Sequence, residues 1–181
     1  LSDNTIIQYA GNDYYNPPLE ASSGLIENVT LKTTDSSAAT PSYCMHADYD
    51  EEANNVLIFN NCIFRSAKHH CVGIGLRSNF TIKFMGCAFY SPSAPVYCHE
   101  QQASNITGQR IELIDCSIYC STADSAIRLQ ESVAYTGNEM YILMQRVIAK
   151  ANGVSGNNII KAVTYPGIAR SEERFSRNAE T

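Results

Sequence analysis

Apolar and polar residues alternate in short runs along this chain, and the runs return in a fixed order. Val56-Leu57-Ile58-Phe59-Asn60 leads through Asn61-Cys62 to Ile63-Phe64, and Thr81-Ile82-Lys83-Phe84-Met85 leads through Gly86-Cys87 to Ala88-Phe89. Arg110-Ile111-Glu112-Leu113-Ile114 then leads through Asp115-Cys116 to Ser117-Ile118. Period-two alternation over a few residues predicts a strand with one face buried. Each phrase is therefore a strand, a residue that tolerates left-handed backbone, a cysteine and a second strand. An earlier copy is Leu25-Ile26-Glu27-Asn28-Val29-Thr30-Leu31, with Asn28 at the turn and Val29 in the cysteine position. A later one runs from Tyr141 to Ile148, with Gln145 read as its turn. The turn positions 28, 61, 86, 115 and 145 are 33, 25, 29 and 30 residues apart. A β unit returning on such a period, with no helical pattern between copies, predicts a solenoid.

A third run separates the phrases. Tyr43-Cys44-Met45-His46, Ile74-Gly75-Leu76-Arg77, Val96-Tyr97-Cys98-His99 and Ile127-Arg128-Leu129-Gln130 align with one another. Alternation then turns Tyr43/Met45, Ile74/Leu76, Val96/Cys98 and Ile127/Leu129 inward, and Cys44/His46, Gly75/Arg77, Tyr97/His99 and Arg128/Gln130 outward. Three strands per turn, stacked in parallel without crossover helices, describe an all-β, right-handed parallel β-helix of about five coils, about 25 Å tall at about 4.8 Å per coil. Stacked corners with positive φ select Asn, Gly or Asp, as found at four of the five turns. An antiparallel sandwich also alternates and also uses Asn and Gly turns, yet it does not repeat a three-part phrase on this period.

The boundaries follow. Residues 1–24 read as an irregular lead-in or N-terminal cap with a short strand at Thr5–Tyr9, residues 25–162 as the β-helix, and residues 163–181 as a C-terminal cap or tail. Gaps of unequal length near 33–42, 48–55, 101–109 and 131–139 are expected to be loops displayed on the coil edges. The chain opens Leu1-Ser2-Asp3-Asn4, so a fragment or a processed product is expected.

Composition narrows the reading. With 181 residues, 44% of them hydrophobic, the chain can supply a single core; a net charge of −5 gives no basic face for nucleic acid, and no apolar run approaches a membrane span. Seven cysteines stand without a C-x-x-C pair, and an odd number cannot all pair within one chain. Cys62, Cys87 and Cys116 recur at one corner, where a small apolar side chain fits; they read as reduced core residues, with disulfide or metal roles as the alternatives. His69-His70 are adjacent on extended chain and point apart, so they do not chelate one ion from one face. No metal or cofactor is expected.

With its five phrases aligned, the chain resembles the pectin-lyase-like right-handed parallel β-helix superfamily over roughly residues 25–148. The run from Ser42 to Asp48, the run from Asn55 to Phe64, Gly73-Ile74-Gly75-Leu76-Arg77-Ser78 and Val96-Tyr97-Cys98-His99 look most like bacteriophage tail fibre and tailspike modules of that fold. The resemblance implies a structural or receptor-binding module of a phage tail fibre, tailspike or baseplate. It would be made in the host cytoplasm and carried in the virion tail, a homotrimer joined to other tail proteins and recognising host-surface polysaccharide. The fold alone does not choose a chemistry. The alternative is a polysaccharide depolymerase of the same fold, and the second alternative a secreted, extracellular adhesin fragment, which the many unpaired thiols count against.

The outward row of the third strand is the candidate ligand surface: His46, Arg77, His99 and Gln130 in line, flanked by Tyr97 and Arg128. Such a row offers donors, acceptors and an aromatic surface to an extended sugar chain, and it reads just as well as a solvated sheet face, which must be polar in any case. Glycoside hydrolysis needs two carboxylates at a set separation. Asp48 or Asp50 with Glu100, two coils apart, spans about 9.6 Å, at the edge of the inverting range. Those three are the acid/base candidates if the chain is an enzyme. Asp50-Glu51-Glu52 is an acidic run on an expected loop, solvated or calcium-binding.

Overall fold

The computed structural model describes residues 5–9, 17–34, 43–47, 55–100, 106–122, 125–130, 140–151 and 160–163. Its strands are β1 (Thr5–Tyr9), β2 (Gly24–Glu27), β3 (Val29–Thr33), β4 (Met45–Ala47), β5 (Val56–Asn60), β6 (Ile63–Arg65), β7 (Val72–Leu76) and β8 (Thr81–Met85). They continue as β9 (Ala88–Ser91), β10 (Val96–Glu100), β11 (Gln109–Ile114), β12 (Ser117–Cys120), β13 (Ile127–Gln130), β14 (Met140–Gln145), β15 (Ile148–Ala151) and β16 (Ile160–Val163).

The strands sort into three sheets. Sheet A runs β1-β3-β6-β9-β12-β15, sheet B β4-β7-β10-β13-β16 and sheet C β2-β5-β8-β11-β14. Every pairing among them is parallel. Successive triplets, from β2-β3-β4 to β14-β15-β16, each give one strand to every sheet. This is a right-handed parallel β-helix, the hand that parallel crossovers take. The short strand expected at Thr5–Tyr9 is β1, which extends sheet A by pairing with β3. At the other end β16 supplies a fifth strand to sheet B that the sequence pattern did not reveal.

The core is a stack of aromatic and aliphatic ladders. Phe59 lies on Phe84 at 5.4 Å and Phe64 on Phe89 at 4.9 Å, with rings nearly parallel within each pair and edge-to-face between pairs. Parallel strands in register place like on like, so each coil buries the same kind of side chain beneath its neighbour. All seven cysteines are free and buried. At the corner after sheet C, the thiols of Cys62, Cys87 and Cys116 donate to carbonyls of their own and the preceding coil.

That corner carries the column of left-handed residues: Asn28, Asn61, Gly86, Asp115 and Arg146 have φ between 52° and 61°. The N–H of Asn28, Asn61, Gly86 and Asp115 each donates to the carbonyl before the next coil's turn, at 2.8–3.0 Å. The fifth member is Arg146 rather than Gln145, because β11 pairs Ile114 with Gln145 and so places Arg146 over Asp115. An arginine keeps this backbone with its guanidinium on the carboxylate below, Nε to Oδ1 at 2.5 Å and Nη2 to Oδ2 at 2.7 Å. A second left-handed corner stacks Asn79 beneath Gly108 between sheets B and C.

Candidate functional site

Sheet B differs from the aligned row in register. Met45 is level with Val72, Val96 and Ile127, and Ala47 with Ile74, Cys98 and Leu129. The two earlier copies therefore sit two residues away from their expected alignment. A two-residue slip preserves which side chains face inward, so hydrophobic alternation cannot detect it. Tyr43 and Cys44 do exchange faces: Cys44 joins the core and Tyr43 packs on the outside. The reason is a bend before β4, where the N–H groups of Cys44 and Met45 both donate to the Cys71 carbonyl. The same double donation, from Cys71 and Val72 to Pro95, recurs one coil later.

The outer face of sheet B is consequently a stack of rings. At its centre β7 offers only Gly73 and Gly75 outward, and the neighbouring rings fill that space; a Cβ on Gly73 would lie 2.7 Å from His46 Cδ2 and 3.1 Å from the Tyr43 ring. Tyr43 stacks on His46 at 4.9 Å, and His70 on Tyr97 at 4.3 Å. His46 and His99, on strands that flank β7, bring their Nε2 atoms to 3.0 Å, one donating to the other. His70 commits Nδ1 to the Ala94 carbonyl at 2.6 Å. Burial, and then the charge of the His99 imidazole, lower the His46 pKa to about 4, so near neutral pH this ring is uncharged.

Tyr43, His46 and His70 are buried, while Tyr97, His99 and Arg128 remain half-buried at the surface, with the Arg128 guanidinium 6.0 Å from the Tyr97 ring. Arg77 stands outside this row. It follows the end of β7, is buried, and its backbone N–H donates to Gln109 Oε1 at 2.7 Å. Gln130 ends β13 opposite Val163, and Glu100 ends β10 opposite Leu76. Asp48, Asp50, Glu51 and Glu52 lie outside the described residues.

A second surface holds none of the sequence-predicted site residues. On sheet A the outward side chains of Gln8, Lys32, Arg65, Tyr90, Tyr119 and Lys150 form one continuous ladder across all six strands. Where sheet A bends toward sheet B, this ladder borders an open groove of about 420 Å³ lined by Lys32, Arg65, Tyr90 and Tyr119. Thr33, Ser66 and Ser91 lie buried beside it with their hydroxyls bonded internally; Thr33 donates to Ser66 at 3.3 Å, Ser66 accepts from the His69 N–H at 3.2 Å, and Ser91 donates to the Ser93 carbonyl. Arg65 lies over the Tyr90 ring at 4.6 Å. The signal was present in the sequence, since each ladder residue from Lys32 onward stands four places after a left-handed turn residue.

No protein-family model matches the chain, and neither does any curated protein or solved structure.

Proposed function

We propose that this chain is a rigid glycan-recognition module: a β-helix of the phage tail fibre, tailspike or baseplate kind that binds host-surface polysaccharide without cleaving it. The observation that carries the reading is the sheet A groove. Tyrosines on adjacent coils and flanking cations supply the mixture of apolar ring and hydrogen-bonding groups that a sugar chain requires. The groove is held by parallel ladders on both sides, so little ordering is required on binding. Its axis follows the stack of coils, which suits an extended polymer. In this reading the module is a homotrimer in the virion tail with other tail proteins as neighbours. Leu25, Val56, Tyr141 and Leu143, exposed on the outer face of sheet C, support association between chains.

The test is calorimetric titration with a panel of bacterial surface polysaccharides, alongside a reducing-end assay on the same mixtures. We expect at least one glycan to bind without turnover and Tyr119→Ala to weaken it by about tenfold, with the urea midpoint unchanged. Steady release of reducing ends, or equal binding by Tyr119→Ala, overturns the reading.

A further inference from the structure

We propose that His46 and His99 form a two-histidine site for one divalent transition-metal ion with tetragonal coordination, of the copper(II) or nickel(II) kind. The two residues are 53 apart in the chain and two coils apart in the fold, yet their Nε2 atoms stand 3.0 Å from one another on the outer face of sheet B. Two features of the fold produce this convergence. Between them β7 carries Gly73 level with His46 and Gly75 level with His99, so both imidazoles lean over a strand that presents no side chain on that face. Aromatic neighbours then hold the rings: Tyr43 stacks on His46 at 4.9 Å, and Tyr97 on His99 at 5.8 Å. The backbone beneath is fixed as well. His46 is paired on both sides, because its N–H donates to the Leu19 carbonyl and its carbonyl accepts from the Ala21 N–H, while β4 pairs with β7. His99 is on β10, which lies between β7 and β13. Ligands carried on such strands are ordered before the ion arrives.

Spacing refines the class of ion. Imidazole nitrogen suits copper, nickel and zinc, whereas calcium and magnesium take oxygen ligands. With metal–nitrogen bonds of about 2.05 Å, two nitrogens 3.0 Å apart subtend about 94° at the ion. That is close to the right angle of a tetragonal site; a tetrahedral zinc would hold them about 3.3 Å apart. On binding, the hydrogen bond between the rings is exchanged for two coordinate bonds. The donating ring moves its hydrogen from Nε2 to Nδ1, so that both Nε2 lone pairs face the ion. Among the described residues no group of three or more His, Cys, Asp and Glu is placed to hold a metal, so water completes the coordination and the ion exchanges. His99 is half-buried rather than enclosed, which gives the ion its route from solvent. His70 does not join, since it commits Nδ1 to the Ala94 carbonyl and stacks on Tyr97. The site is on sheet B, away from the sheet A groove, and does not depend on the glycan reading.

The experiment is calorimetric titration of the full, untagged chain, first stripped with EDTA, with nickel(II) chloride at neutral pH. One ion per chain is expected to bind. His99→Phe, which keeps a ring in the stack and removes the nitrogen, should weaken binding by at least about tenfold. His46→Gln should do the same, while His69→Gln binds as the parent does. Copper(II) should bind more tightly than nickel(II), and its electron paramagnetic resonance spectrum should show coupling to two imidazole nitrogens. Saturating nickel should raise the urea midpoint of the parent and leave that of His99→Phe where it was, since an ion held by the native state alone stabilises it. Nickel binding that survives His99→Phe and His46→Gln, that disappears in His69→Gln, or that calcium displaces overturns the proposal. So does a parent chain whose heat of titration and urea midpoint do not respond to nickel.

Discussion

The left-handed column can be tested at its tightest point, Gly86. Its φ of +61° admits alanine only at the cost of left-handed strain, about 1–2 kcal/mol. A Cβ there would also lie 2.6 Å from Asn61 Oδ1, because the Asn61 side chain occupies the space a β-carbon needs. Relieving that overlap costs a further ~1–3 kcal/mol if Asn61 must shift within a packed corner. Gly86→Ala is therefore expected to lose about 3 kcal/mol, which lowers the urea midpoint by about 1–2 M when followed by circular dichroism. Gly86→Asn separates the two contributions. Asparagine tolerates the left-handed backbone, so its loss is mostly the overlap, and Asn61→Gly in the same chain opens the room that the introduced side chain requires. The double variant should recover most of what Gly86→Asn loses. A Gly86→Ala chain within about 0.5 kcal/mol of the parent, or a double variant that recovers nothing, refutes the stacked-corner account.

Two further outcomes follow from burial. The depressed pKa of His46, about 4 in the fold, lies below the ordinary value of about 6.5, so the unfolded chain takes up the proton first as pH falls. The stability present above pH 6.5 is lost as pH falls toward 4, to the extent of about 3 kcal/mol, and His46→Gln should flatten urea midpoints across that window. A parent midpoint that stays constant from pH 7 to 4 sinks this expectation. All seven thiols are free and buried, and burial pushes Cys71 and Cys98 up further. An aromatic disulfide reagent should therefore modify none in the native chain and all seven in denaturant, whereas rapid native labelling contradicts the packing.

Much of the scaffold could be read from the sequence because corners constrain residue type more sharply than strands do. Asn28, Asn61, Gly86 and Asp115 were recognisable as left-handed positions from chemistry alone. Arg146 was not, because arginine has no intrinsic preference for that backbone; its place follows from strand pairing and from the carboxylate of Asp115 below it. Met45, Ile74, Val96, Cys98, Ile127 and Leu129 were also readable as inward; Tyr43 and Cys44 were not, because a bend interrupts the alternation that assigned their faces.

Ladders, by contrast, depend on register, and register is inherited unequally by the three faces. Sheet A begins directly after the left-handed corner: Asn28 is followed by Val29 of β3, and Asp115 is two residues from Ser117 of β12. Counting from the corner thus aligns Lys32, Arg65, Tyr90, Tyr119 and Lys150 without ambiguity, yet each alone resembles an ordinary surface residue and only stacking makes them a surface. Sheet B begins after segments of unequal length: Thr33 to Met45, Arg65 to Val72, Ser91 to Val96 and Cys120 to Ile127. Nothing in the alternation fixes how far each strand has slid, so His46, Arg77 and His99 were aligned where His46, Gly73 and Tyr97 in fact are level. The glycines that open β7 draw the surrounding rings onto one another, and the face that looked most like a groove in one dimension is largely filled by its own side chains. A functional column in such a fold is therefore best sought on the face that follows the corner most closely, where the sequence carries the register as well as the residues.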